Sequence, residues 1–137
     1  MDWLQREQVT LFRPPVSFYR QWVRALSPNE VPETLRIMTL GGQRLCWGDL
    51  AAFREKFPPD RLLVHRYACT EACLMAHAFF GGGSPYPHDG QVPLGKPPEG
   101  VGVLVLGEDG LPVPDGKTGE ISVIGEGLAN GYWKSPN

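Results

Sequence analysis

Leu62-Leu63-Val64-His65-Arg66-Tyr67 reads as a buried strand, and it runs directly into Ala68-Cys69-Thr70-Glu71, a short polar loop. A compact apolar run bounded by turn signals fits a strand inside a sheet better than a surface helix. Upstream, Pro58-Pro59 closes a helix over about residues 47–57, with Trp47, Leu50, Ala51 and Phe57 on one side and Asp49 near its positive N-terminal end. Before that helix, Leu35-Arg36-Ile37-Met38-Thr39-Leu40 forms a second strand, which runs into Gly41-Gly42. Further back, Val16, Tyr19, Trp22, Val23 and Leu26 recur at helical spacing over about residues 15–26. Pro14 and Pro15 sit at the first turn of that helix, where a missing N–H costs little, and Ser27-Pro28-Asn29-Glu30 ends it. Val9-Thr10-Leu11-Phe12 is a short strand ahead of the two prolines. The first half therefore alternates β-α-β-α-β, which predicts parallel strands joined by right-handed crossovers. In such sheets ligands collect at the carboxyl ends of the strands.

The second half changes character. Residues 73–80 are apolar and read as strand, and residues 81–90 are a loop rich in Gly, Pro and Ser. Residues 101–106 and 120–124 are strands with turns at Glu108-Asp109-Gly110 and Asp115-Gly116, so they are expected to pair antiparallel. The fold class that results is α/β: a βαβαβ parallel-sheet portion over residues 1–84, then a small antiparallel β subdomain over 85–137. A linker near residues 85–98 would separate them. No internal repeat or low-complexity tract is evident.

Totals narrow the function classes. A chain of 137 residues suits one core of moderate size. Seventeen Gly and fourteen Pro point to many turns and few long helices. A net charge of -2 argues against a nucleic-acid footprint, which needs clustered Lys and Arg. No run is long enough to span a bilayer, and the N-terminal residues lack a signal-peptide pattern. Three cysteines cannot all pair within the chain, which suits reduced thiols in a cytoplasmic protein.

Four candidate sites compete with plainer readings. His65, Cys69, Cys73 and His77 fall at intervals of four, and on one continuous helix they would share a face. Strand and loop geometry would scatter them, so buried thiols and polar histidines are preferred to a zinc site. Gly125, Gly127 and Gly131 imitate a dinucleotide fingerprint with the third glycine one position late, and a tight turn explains them better. Gly41-Gly42 is either a simple turn or backbone brought close to a ligand, where a Cβ would collide. Thr70-Glu71 is either a solvated loop or a phosphate grip, its hydroxyl donating to phosphate and its carboxylate holding Mg²⁺. Tyr67 beside them offers a flat face for a base.

Three stretches taken together resemble the adenylate-forming (AMP-binding) enzymes, most closely the adenylation domain of nonribosomal peptide synthetases. Residues 35–45, ending Gly41-Gly42-Gln43-Arg44-Leu45, resemble that family's strand and G-G-E-x-L. Tyr67-Ala68-Cys69-Thr70-Glu71 resembles its Y-G-x-T-E. Residues 119–136, which include Gly125-Glu126-Gly127-Leu128-Ala129-Asn130-Gly131-Tyr132, resemble a long and specific motif, G-E-[LI]-x-[VI]-x-G-x-G-[LV]-A-x-G-Y-x-x-x-P.

The resemblance covers nearly all of the chain and implies a central fragment of the family's large N-terminal domain, about a quarter of such an enzyme. The family activates a carboxylate with ATP and Mg²⁺ to an acyl-adenylate, releasing pyrophosphate, and passes the acyl group to a carrier-protein or CoA thiol. By the same resemblance Thr70 contacts the α-phosphate, Glu71 ligates Mg²⁺ and Tyr67 lies along adenine. Gly41, Gly42 and Gln43 border the adenine and the acyl pocket, and Ala68 borders the nucleotide. Phe12, Met38, Leu40, Arg66, Leu74 and Met75 fall near the acyl pocket, although a one-residue slip moves each to the other face of its strand.

Ala68 stands where the family has Gly, and Gln43 where Glu is usual. The family's phosphate loop lies upstream of these motifs, and its ribose-binding Asp and catalytic Lys lie downstream, so the isolated chain is expected not to catalyse adenylation. An alternative is a non-catalytic remnant acting as a folding or interaction module, self-associating through an exposed sheet edge.

Overall fold

The computed structural model describes residues 2–27, 30–81, 86–87 and 89–134. The Pro28-Asn29 stop and much of the 81–90 loop lie outside the described residues, as does the 84/85 boundary. The elements run α1 (Asp2–Arg6), β1 (Leu11–Phe12), α2 (Val16–Ala25), β2 (Ile37–Gly41), α3 (Trp47–Lys56), β3 (Leu62–Tyr67), β4 (Ala76–Gly81), β5 (Val101–Leu106) and β6 (Glu120–Gly125). The order β1-β2-β3-β4 forms one sheet, and β5-β6 forms a separate two-stranded ribbon.

β1, β2 and β3 pair in parallel, with Phe12 opposite Met38, Met38 opposite Leu63 and Leu40 opposite His65. This is the β-α-β-α-β alternation the sequence implies. Strand periodicity then puts Met38, Leu40 and Leu63 on one face, where they join Val16, Tyr19, Trp22 and Val23 of α2 and Leu50 and Phe53 of α3 in a single core. Burying each large side chain of this kind contributes about 1.5–3 kcal/mol. Within α3 the buried stripe is Leu50 and Phe53, with Phe57 just beyond the helix, whereas Ala51 is exposed. Ala51 is one residue past Leu50, about a quarter-turn away, and Phe53 takes the place expected of it. At α2 the prolines lie just ahead of the first turn, with Pro15 as N-cap.

The two helices are locked together through Asp49. Its carboxylate accepts from the Cys46 N–H at 2.8 Å, which caps α3, and from Arg20 Nε and Nη2 at 2.8 Å each. The Tyr19 hydroxyl donates to the Asp49 carbonyl at 2.7 Å. Burial opposes ionisation of Asp49, but hydrogen bonds from Arg20 and Cys46 outweigh it and hold the carboxyl below its ordinary range. Burial, reinforced by Asp49, pushes the Tyr19 hydroxyl far up.

The expected strand over residues 73–80 is shorter and shifted, because Cys73 adopts φ 48° and strand pairing begins only at Ala76. β4 runs antiparallel to β3, Arg66 opposite His77 and Tyr67 opposite Ala76. The intervening loop is too short for a parallel crossover, so the chain must turn back. The Met75 N–H closes this loop on the Tyr67 carbonyl at 2.9 Å. Beyond β4, Val92 enters the core and donates to the Leu45 carbonyl at 3.0 Å. Lys96 exchanges two hydrogen bonds with His77, which covers the β4 edge at that point. β5 and β6 pair antiparallel from Val101 opposite Gly125 to Leu106 opposite Glu120, as expected.

Candidate functional site

The carboxyl ends of β1, β2 and β3 converge on Gly41-Gly42. A Cβ at Gly41 would sit 2.6 Å from the Arg66 carbonyl oxygen on the neighbouring strand, so only glycine allows this approach. Gly42 has φ 78°, and a Cβ there would meet nothing within 4 Å, which leaves its backbone facing open space.

Two clefts open at this point. One, of about 360 Å³, is lined by Gly42, Gln43, His65, Arg66, Tyr67 and Ala68, with Val92 and Leu94 among the residues opposite. The other, of about 280 Å³, is lined by Arg13, Thr39, Leu40, Gly41, Arg66 and Ala68, among others. Gly42, Arg66 and Ala68 border both.

A third cavity, of about 350 Å³, lies at the Thr70-Glu71 turn and is lined by these two residues and by Ala129, Asn130, Gly131 and Tyr132. Ala68 is two residues from Thr70, so their Cα atoms are at most about 7 Å apart. The long motif after β6 thus folds back onto the loop after β3. The Ala129 N–H donates to the Glu71 carbonyl at 2.7 Å, and the Tyr132 hydroxyl donates to Glu71 Oε1. That hydroxyl, first, then the Glu71 N–H and the Cys69 thiol, hold the Glu71 carboxyl below its ordinary range. Glu71 in return raises the Tyr132 hydroxyl. An ionised carboxylate and a neighbouring hydroxyl are hard oxygen donors, and Mg²⁺ is commonly held by one or two carboxylates together with substrate phosphates. The Thr70-Glu71 cavity fits such a group.

The residues assigned to the acyl pocket fall in three places. Arg66 lines both clefts, and Leu40 borders the smaller one while its side chain, 0% exposed, belongs to the helix-side core. Phe12 and Met38 lie in the helix-side core, Phe12 edge-on to Trp22 at 5.5 Å and Met38 1% exposed. Leu74 and Met75 occupy the loop that leads into β4. Thr39, Arg13 and Tyr132 were not among the sequence candidates. Thr39 faces away from Met38 and Leu40, on the sheet face it shares with Arg66, and strand periodicity carried across the β2–β3 register is the signal for it. Nothing in the local pattern marks Arg13.

His65 and Leu63 share the helix-side face, and the His65 Nδ1 lies 3.2 Å from the Pro93 carbonyl. His77 pairs with Arg66 and so lies on the opposite face. Among the described residues no group of three or more His, Cys, Asp or Glu side chains is placed to hold a metal.

The family of AMP-binding enzymes matches residues 1–133, and the chain belongs to it. It is 35% identical over 115 residues to novobiocin biosynthesis protein H of Streptomyces niveus, an alignment covering 84% of this chain and 18% of that protein. It resembles a solved nonribosomal peptide synthetase protein containing adenylation and PCP domains, with TM-score 0.78 and 26% identity over 94% of this chain and 26% of that one. The N-terminal subdomain of Klebsiella oxytoca NpsA, solved with 3-hydroxybenzoyl-AMSN, shares the fold at TM-score 0.74 and 19% identity, covering 96% of this chain and 31% of that one. This chain therefore corresponds to part of the large N-terminal domain of an adenylate-forming enzyme, and spans well under half of each of these proteins.

Proposed function

We propose that this chain supplies part of the nucleotide and acyl site of an ATP-dependent carboxylate-activating ligase. The observation that carries the reading is that Thr70 and Glu71 share one cavity two residues beyond Tyr67-Ala68, which themselves border the clefts at Gly41-Gly42. Bound ATP and Mg²⁺ would supply the activated α-phosphorus and the pyrophosphate leaving group. The chain's own residues position and neutralise charge, and in phosphoryl chemistry these account for most of the catalysis. Thr70 donates to an α-phosphate oxygen. Glu71, held ionised, faces the metal. Tyr67 presents its ring to adenine, Gly42 lets the nucleotide approach backbone closely, and Gly41, Gln43 and Ala68 border it.

For the acyl group, Arg66 and Leu40, with Phe12, Met38, Leu74 and Met75 behind and beside them, shape the pocket. The acyl acceptor is a thiol on a carrier protein or CoA, in a reducing, cytoplasmic setting that suits three unpaired cysteines. Residues 1–84 carry the acyl and nucleotide loops, and residues 85–137 carry the antiparallel ribbon that reaches back to Glu71.

The test is equilibrium dialysis of the chain against labelled ATP with and without Mg²⁺. Magnesium-dependent retention that Glu71→Gln removes supports the reading. Retention indifferent to Mg²⁺ and to Glu71 contradicts it. A tight dimer with no ATP retention would favour the interaction-module alternative instead.

A further inference from the structure

Glu71 is fastened at both ends by one short segment. The Ala129 N–H holds its main-chain carbonyl, and the Tyr132 hydroxyl, three residues on, holds its carboxylate. Ala129, Asn130, Gly131 and Tyr132 also wall the cavity onto which Thr70 opens. Gly131 has φ 116°, which takes the chain between the two contacts through a conformation other residues rarely adopt. A side chain as exposed as Glu71 ordinarily samples several rotamers, and fixing it costs conformational entropy. A phenol carries that hydroxyl on a rigid ring with few torsions, so it defines a direction better than a flexible donor does. A carboxylate offers about four lone-pair sites; Tyr132 takes one at Oε1, and its remaining lone-pair sites can still take a cation.

From this geometry we infer that Tyr132 is a positioning residue: its hydroxyl sets the rotamer of Glu71 so that the carboxylate meets the divalent cation on the phosphate that the Thr70 hydroxyl contacts. The inference rests on the nucleotide–magnesium reading of Glu71 and adds to it a residue that acts through Glu71. Hydrogen-bond partners of metal-ligating carboxylates typically change metal affinity about 10–100-fold when removed.

The experiment titrates Mn²⁺, read by its electron paramagnetic resonance signal, into the full chain with ATP present. It compares the unmodified chain with Glu71→Gln, Tyr132→Phe and the double variant, and follows amide hydrogen exchange at residues 68–75 in the absence of metal. Tyr132→Phe keeps the ring and removes only the hydroxyl. The expected result is roughly tenfold weaker Mn²⁺ binding for Tyr132→Phe, a larger loss for Glu71→Gln, and no further loss on adding Tyr132→Phe to Glu71→Gln. Unchanged Mn²⁺ affinity in Tyr132→Phe with a clear loss in Glu71→Gln would overturn the role of Tyr132 alone. Faster exchange at residues 68–75 alongside that unchanged affinity would reduce Tyr132 to a loop fastener, and overturns it equally. No effect from Glu71→Gln would overturn the magnesium reading, and this inference with it. Additive losses in the double variant would place the effect of Tyr132 outside Glu71 and contradict the inference.

Discussion

The four-stranded sheet with its two long helices and the β5–β6 ribbon solve the same problem in opposite ways. The sheet region makes its own core: Leu40 and Leu63 are 0% exposed, and Tyr19, Trp22, Leu50 and Phe53 close over them. Within the ribbon no strand residue is fully buried, and Ile124 is 58% exposed. A two-stranded ribbon without a covered apolar face is marginal in water. Its position depends on a few tethers, among them the contacts of Ala129 and Tyr132 with Glu71. Stability therefore resides in the first region. The second contributes chiefly by where its trailing loop ends, on the residue proposed to meet the metal.

Substitutions should divide along that line. Leu63→Ala removes a side chain at the centre of the sheet and is expected to cost about 2–5 kcal/mol in urea unfolding. A loss below about 1 kcal/mol would mean that the core is less closely filled than its burial implies. Asp49→Ala deletes the acceptor that caps α3 and leaves Arg20 only its bond to the Arg44 carbonyl, with an expected loss of about 1–3 kcal/mol. The same carboxyl gives a pH signature. Its folded-state pKa lies below the unfolded value, so its contribution is complete above about pH 4–5 and is lost as pH falls through the folded value. Asp49→Ala should flatten that acid limb, and an unchanged limb would assign it to other carboxylates. Ile124→Ser, on the ribbon, should stay within about 0.5 kcal/mol of the unmodified chain. A multi-kcal/mol loss there would show that the ribbon shares the sheet's cooperative core, and the contrast between the regions would fall.

The parts of the fold that strand and helix periods encode were legible in the sequence. The parallel order of β1, β2 and β3 followed from alternation, and the α2 stripe from Val16, Tyr19, Trp22 and Val23. Three features were hidden. Ala51 and Phe53 both fit a helical stripe on apolarity alone, and only packing against the sheet fixes the phase. Cys73 has an ordinary strand composition around it, yet its left-handed backbone delays β4 to Ala76. The approach of Tyr132 to Glu71 joins residues 61 positions apart, and no local pattern records a contact at that separation. Of the candidate site, the loops at Gly41-Gly42 and Thr70-Glu71 were readable as loops at strand ends. Which β2 side chains face the clefts depended on a strand phase that the apolar run of 35–40 does not reveal.

The most direct test of the central claim is paramagnetic broadening of backbone amides by a trace of Mn²⁺ with saturating ATP. The result expected is selective loss of the Thr70 and Glu71 signals together with those of residues 129–132, with weaker loss at residues 41–43, all of it absent in Glu71→Gln. Broadening that spares Thr70 and Glu71, or that persists unchanged in Glu71→Gln, would contradict the claim that this turn grips a nucleotide-bound cation.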